Sequence, residues 1–435
     1  MERTPGEQYN KRAKRILDAT QLKIPDRVPI SIEDEGIFVR HAGFTWADVM
    51  YDAGKARTAA KKLFLDLDQD THAVPFVLCP GQIYDILDYK QMRWPGAKLE
   101  VNRLNDPNSV YQFLEPGAGF EAMHPDEYDW FINDPTDYMV RGYWPKVSKT
   151  LQPFRDLPAM WHINSYTRLP LLAPFGSPEI VKAFEALMKA GREAMKFNRA
   201  MLEYVKEMVL LGYPPRNIAA CSNPFDFIGD YMRGTRGRML DMYRHPGKLK
   251  EAVEKVAPMI LEQVIAQAKA RLNFLNEVMP QGNHLRHVAM YLHGGAGGFM
   301  SNAQFKEFYW PTLRKLLIGI IDAGFTPYMF SEGIYDARLE IIKDLPKGKV
   351  VWHIETDIFK AKAILGDTCC IEGGPPASLM NGGSIEDVRA YAKKLIDICG
   401  KGGGFVMGVA HSLLTARYEN VKTLVDFSKE YGVYG

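Results

Sequence analysis

From about residue 280 onward, short runs of apolar and β-branched residues alternate with longer stretches whose apolar positions recur every three or four. HVAMYLHGG (287–295) is a run of the first kind. Behind it, SNAQFKEFYWPTLRKLLIGIIDAG is of the second, with Ser301 placed to cap a helix, Pro311 to kink it and Gly324 to stop it. Four more pairs follow: TPYMFSEG with YDARLEIIKDL, KVVWHIET with DIFKAKAILG, TCCIEGG with SIEDVRAYAKKLIDICG, and GGFVMGVAH with ENVKTLVDFSKEYG. The short runs are almost continuously apolar, as parallel strands buried on both faces are, and the crossovers between them read as helices. RVPISI (27–32), THAVPFVL (71–78) and NIAACS (217–222) are earlier runs of the same type. The pattern therefore predicts eight strands and an α/β fold, a (β/α)8 TIM barrel, as the economical architecture.

Two stretches decorate that barrel. Residues 83–160 are rich in Pro, Asp and aromatic residues and lack sustained periodicity, which predicts a long irregular insertion serving as a lid, a binding surface or an interface. Residues 177–212 open with Ser-Pro-Glu at cap, N1 and N2 and predict one long helix or two in tandem. The N-terminal MERTPGEQYNKRAKRILDAT reads as a helical extension, with charges where a signal peptide needs a continuous apolar run. No later apolar run approaches the roughly 20 residues that span a bilayer, so the expectation is a cytoplasmic chain, one decorated barrel over 1–435, without a membrane partner.

Composition narrows the chemistry. With 46% hydrophobic and 24% charged residues in 435, the chain buries a large core without disulfide staples. A net charge of +2 and the lack of a Lys/Arg block argue against nucleic acid as a partner. The five cysteines show no CxxC pairing, which argues against a disulfide framework and a four-cysteine zinc site and leaves them as small core hydrophobes.

In such a barrel, chemistry gathers at the C-terminal strand ends. Those ends carry Cys221, Asn223 and Asp226, then His293, then Glu332, then His353 and Glu355, then Glu372, then His411. Burying an unpaired carboxylate or imidazole is costly, so six consecutive polar ends point to a cleft that binds something. Glu332, delivered by PYMFS and released at Gly333, is the sharpest candidate, with an ion pair to Arg338 as the alternative reading. His353 and Glu355, two apart on one strand, equally fit a polar layer inside the barrel. Glu332, His411 and His293 are the catalytic candidates and would also supply three ligands to a catalytic zinc; a hydrogen-bonded acid/base cluster is the competing reading. Asn223, Asp226, His353, Glu355, Glu372 and Tyr335 are the substrate-binding candidates.

Several segments resemble the uroporphyrinogen decarboxylase superfamily, which also holds cobalamin-dependent methyltransferases: DRVPI, PFDFIGDYMRG, GGFMSNAQFKEFYWPTLRKLL, EGGPPASLMNGGSIEDVRAYAKKLID and ARYENVKTLVDF. The resemblance runs from residue 26 to the end and implies the barrel fold. The decarboxylase branch's MRQAGRY segment is reduced here to FVRHAGF, and where the zinc-bearing methyltransferases place thiolates this chain has Phe330-Ser331-Glu332 and the His411 of VAHS. The resemblance thus implies the substrate side of a corrinoid-dependent methyl transfer. A small methoxylated substrate would give its methyl to a corrinoid on a partner protein, since the chain has no DxHxxG cobalamin-binding stretch, and zinc could assist. Decarboxylation of a tetrapyrrole or other acid through groups such as Arg40 and Asp85, or a barrel that binds a corrinoid or porphyrin without turnover, are the alternatives. A homodimer is left open.

Overall fold

A computed structural model of the chain describes residues 3–33, 36–75, 80–117, 120–410 and 413–434. The insertion holds a small sheet of β1 (Met92–Pro95), β2 (Arg103–Leu104) and β3 (Gln112–Phe113), with β1 in the centre. The barrel's regular part is a six-stranded parallel sheet in chain order: β4 (Ala219–Ala220), β5 (His287–Leu292), β6 (Thr326–Ser331), β7 (Val351–Ile354), β8 (Cys370–Gly373) and β9 (Phe405–Met407).

The first two expected strands close the ring by single bridges. Ile30 pairs with Met407 in parallel, with Met407 N donating to Pro29 O at 2.8 Å and Ser31 N to Met407 O at 2.9 Å. Asp70 N donates to Ile30 O, and His72 pairs with Pro215, with Arg216 N donating to His72 O at 2.8 Å. Eight staves and their closure thus agree with the hydrophobic pattern; the tail of the 71–78 run, from Phe76, lies outside the described residues.

The expected helices form where their caps stand. Ser301 and Gln304 make a capping box, and the helix behind it widens into a π turn at Phe305–Tyr309 just before Pro311. The kink read from the sequence is that wide turn, set just ahead of Pro311, which has no N–H to continue the helical ladder. Behind it, Leu313, Leu316, Leu317 and Ile320 of Trp310–Asp322 form one buried stripe facing the sheet. Each such burial stabilises by about 1.5–3 kcal/mol. The 177–212 stretch is a single helix, Pro178–Leu210, capped by Ser177. YDARLEIIKDL yields only the short helix Leu339–Ile342, because buried Arg338 reaches back to Gly295 O, Met300 O and Asn302 and holds the preceding residues out of helical register. The N-terminal extension is the helix Pro5–Thr20, closed by a Thr4–Glu7 capping box. Among the described residues no helix is long and apolar enough to cross a membrane.

The barrel interior is partly polar. Arg216, 3% exposed, contacts Glu372 and the Tyr328 hydroxyl and donates to Ser31 Oγ at 2.9 Å, while Tyr328 donates to Glu372 at 2.9 Å. Burial pushes the Glu372 carboxyl up and the Arg216 charge holds it back. Taking one partner away leaves the other a buried, unpaired charge. We expect Arg216→Met to destabilise the fold by about 3–5 kcal/mol. Arg216→Met/Glu372→Met should recover most of that loss, as read from urea unfolding midpoints; a double variant no more stable than the single one would show that the pair is not the coupled unit.

Candidate active site

Strand register brings the candidates to one level. Leu292 stands beside Ser331 and Ser331 beside Ile354, so the next residues out, His293, Glu332 and Glu355, share the rim. Alternation along the strands turns His293 and Tyr291 to one face of β5 and Glu332, Phe330 and Tyr328 to one face of β6. That face is the barrel interior, where Phe330 stacks on His353 at 4.0 Å between centroids and Tyr291 packs against Phe330.

His293 is the centre of the arrangement. Its Nδ1 lies 2.6 Å from Asp230 Oδ2 and its Nε2 3.2 Å from Glu332 Oε1. Burial works against the charged ring, but the hydrogen bonds and charges of Asp230 and Glu332 outweigh it and push the imidazole up to about 11. The ring is an imidazolium at neutral pH with both N–H groups held by carboxylates. Glu332 does not pair with Arg338, whose partners are the carbonyls and Asn302 named above.

A second layer fixes the first. Arg238 Nη1 donates to Asp230 Oδ1 at 2.7 Å and reaches Asp226 Oδ1 at 3.3 Å. Asp226 in turn accepts from His293 N at 3.1 Å, Gly294 N at 2.9 Å and the Tyr309 hydroxyl at 2.7 Å. Gly294 has to be glycine, since a Cβ there would lie 2.6 Å from Asp226 Oδ1. Asn223 caps the helix that carries Asp226, Pro224–Ile228, and accepts from Phe225 N at 2.7 Å. On the other side Glu355 accepts from Gly333 N at 2.8 Å and so holds the turn at Glu332, where Gly333 takes φ +83°.

Of the substrate-binding candidates, Asn223, Asp226 and Tyr335 are buried behind the rim, Tyr335 with its hydroxyl 3.5 Å from Leu292 O. His353 and Glu372 belong to the interior polar layers, His353 Nε2 lying 2.7 Å from Val409 O. His411 lies outside the described residues. Sequence reading overlooked Asp230 and Arg238, although PFDFIGDYMRG places a second acid one helical turn after Asp226. Of the groups named for the decarboxylase alternative, Arg40 donates to Ala416 O and Asp85 accepts from the Tyr51 hydroxyl and Lys98 N.

Among the described residues no three His, Cys, Asp or Glu side chains converge as a metal site. Of the three expected zinc ligands, His293 and Glu332 stand together at the rim and His411 lies outside the described residues. Burial pushes the Cys221, Cys369 and Cys399 thiols up to about 12, far from thiolate. Beneath the rim, Ala289 and Tyr291 line a cavity of about 390 Å³ shared with Glu33, Arg216, Asn217 and Arg271. Glu33 Oε2, Arg216 Nε, Asn217 Oδ1 and Arg271 Nη1 are buried there without a hydrogen-bond partner among the described residues.

Comparison with known proteins fits this architecture. The family model "Uroporphyrinogen decarboxylase (URO-D)" matches residues 173–431. A uroporphyrinogen decarboxylase of Chlorobium luteolum is 25% identical over 195 residues, 43% of this chain and 51% of that protein, so the chain spans about half the length of that relative. Among solved structures, a methyltransferase from Methanosarcina mazei matches with a TM-score of 0.60 at 14% identity, over 97% of this chain and 98% of that one, a likeness of fold. With well over half of its length matched by the family model, the chain belongs to the uroporphyrinogen decarboxylase family.

Proposed function

We propose that this barrel takes a methyl group from a small methoxylated substrate and passes it to a corrinoid carried by a separate protein, with His293 as the acid that protonates the departing oxygen. The double carboxylate clamp on His293 carries the reading. In an ether the barrier lies in the leaving group, which departs only if its oxygen is neutralised as charge develops. The corrinoid, as acceptor, supplies the nucleophile. The carbon–oxygen electron pair stays on the oxygen, and the Nε2 proton of His293 joins it to give a free hydroxyl.

The two contacts to His293 divide the labour. Asp230 holds Nδ1–H at 2.6 Å, whereas Glu332 holds Nε2–H at a looser 3.2 Å, so Nε2–H is the proton that an incoming oxygen takes over. An acid near 11 stays loaded in the resting enzyme yet matches a phenol, whose own value is about 10. Phe113 of the insertion packs against Tyr231, the residue after Asp230, at 5.9 Å between centroids, giving an apolar edge for an aromatic substrate. Its fold likeness to a protein named a methyltransferase supports the same reading. Were zinc bound, Glu332 and His293 with His411 would hold it, and it would stabilise charge on the departing oxygen.

We expect His293→Gln and Glu332→Gln each to lower turnover by about 10²–10⁴-fold with the fold intact. The measurement is the spectral change of a supplied corrinoid protein on methylation, with circular dichroism as the folding control; near-full activity in either variant would remove that residue from the chemistry. Loss of activity with chelator, restored by zinc, would move the pair from proton transfer to metal binding.

The pH dependence follows from the same clamp. Its folded-state value lies above the free imidazole's 6.5, so its stabilising contribution is complete below 6.5 and disappears as pH rises through about 11. Activity should therefore hold across neutral pH and fall at alkaline pH. Asp230→Asn should bring that alkaline limb down by about one unit or more; an unmoved limb would mean that another group titrates. A free thiol offered in place of the corrinoid protein should remain unmethylated, as expected of a site without an activated thiolate.

A further inference from the structure

We propose that the cavity of about 390 Å³ in the barrel wall is a binding site for a small organic acid whose far end is a hydroxyl, the carboxylate going to Arg271 and the hydroxyl to Glu33. The cavity exists because two staves part. His72 and Pro215 bridge the second stave to the third, with Arg216 N donating to His72 O at 2.8 Å. One residue further on, Ala73 O accepts from the Tyr204 hydroxyl at 3.0 Å, so that carbonyl is directed to the helix Pro178–Leu210 instead of the neighbouring stave. Beyond the bridge, no backbone hydrogen bond among the described residues joins 73–75 to 217–220.

The opening therefore runs through the wall. Glu33 and Tyr291 line it from the barrel interior, and Arg271 lines it from the helix Pro246–Val278 that follows the third stave. Much of the remaining lining is small and apolar, Ala73, Ile218 and Ala289 included. The volume falls in the range of small-molecule sites, about 300–1,000 Å³.

The polar groups left over at its two ends are of opposite kind. Arg271 Nη1 is buried with no hydrogen-bond partner among the described residues, and burial lowers its proton affinity with no acid to hold it up. Its guanidinium stands 6.0 Å from the centroid of the Phe274 ring, the outer limit of a cation–π contact. Its charge is felt across the cavity: burial drives His72, on the same wall, down to about 3, and Arg271 repels the protonated ring further. A buried cation without a counter-ion costs stability that no described residue offsets. A carboxylate would offset it through charge-assisted hydrogen bonds to the guanidinium fork. At the inner end, Glu33 Oε1 accepts from the Tyr291 hydroxyl at 2.5 Å, whereas Oε2 is buried without a hydrogen-bond partner among the described residues. That oxygen calls for a donor and would repel a second carboxylate. Arg216 Nη2, 4.0 Å from it, would repel an ammonium, so a neutral hydroxyl is the donor that fits.

Calorimetric titration of the full chain tests this, with 4-hydroxybenzoate as the probe and 4-hydroxybenzamide and benzoate as comparators. No corrinoid protein is present, so the outcome does not depend on methyl transfer. The unaltered protein should bind the probe about tenfold or more tightly than either the neutral amide or the acid that lacks the hydroxyl. Arg271→Met should weaken the probe by about ten- to a hundredfold. The same variant should unfold at an equal or higher urea concentration, because it removes a buried charge that is unpaired among the described residues. Absence of probe binding up to about 10 mM overturns the proposal, as does equal binding of the neutral amide or of benzoate by the unaltered protein. So does an Arg271→Met variant that binds the probe undiminished, or one that unfolds at lower urea, which would make the guanidinium a structural group.

Discussion

Arg238 lies 3% exposed between two carboxylates that are themselves 2% and 12% exposed, and the geometry of the barrel mouth hangs on that contact. Removing a guanidinium and two acids from water is tolerable only while they satisfy one another. Once they do, their remaining lone pairs have fixed directions. Those of Asp226 take the backbone of His293 and Gly294, and one of Asp230 takes the His293 ring. A single buried cation thus determines both where the imidazole is rooted and which way it points.

The barrel has to satisfy its polar interior in layers. Arg216, Tyr328 and Glu372 form one layer; above it Phe330 stacks on His353 and Tyr291 donates to Glu33 at 2.5 Å. Most polar groups of these layers are taken up by hydrogen bonds or ring contacts before the rim is reached. Atoms of Glu33, Arg216, Asn217 and Arg271 that have no hydrogen-bond partner among the described residues lie where a cavity begins.

How much of this the sequence carries depends on the range of the interaction. Strands buried on both faces have a local signature, and β5 to β9 fall within the runs read from it. Caps are equally local: Ser177, Ser301 and Ser384 stand where the helices begin. Glu332 and His293 are recognisable because a strand end is a defined place in a barrel. Asp230 and Arg238 act on His293 across more than 50 residues of chain, and no pattern within the 224–244 segment says which of its acids and arginines will meet at the rim. The short helix at Leu339–Ile342 was beyond sequence reading for the same reason, since its length is set by long-range contacts of Arg338.

Three histidines show how this scaffold assigns charge. His72 and His287 are completely enclosed, and burial drives them down to about 3 and about 4, His287 with further repulsion from Arg216. His293 suffers the same penalty from its burial, yet its value moves the other way. His287 and His293 lie on the same strand and its immediate extension, six residues apart and on the same inward face, so neither fold position nor side-chain chemistry separates them. What separates them is that Asp230 and Glu332 reach one ring, while among the described residues no carboxylate is placed to do so for the other. Acids brought in from other segments therefore decide that the floor of β5 is neutral and its mouth cationic, and only the mouth is left able to deliver a proton.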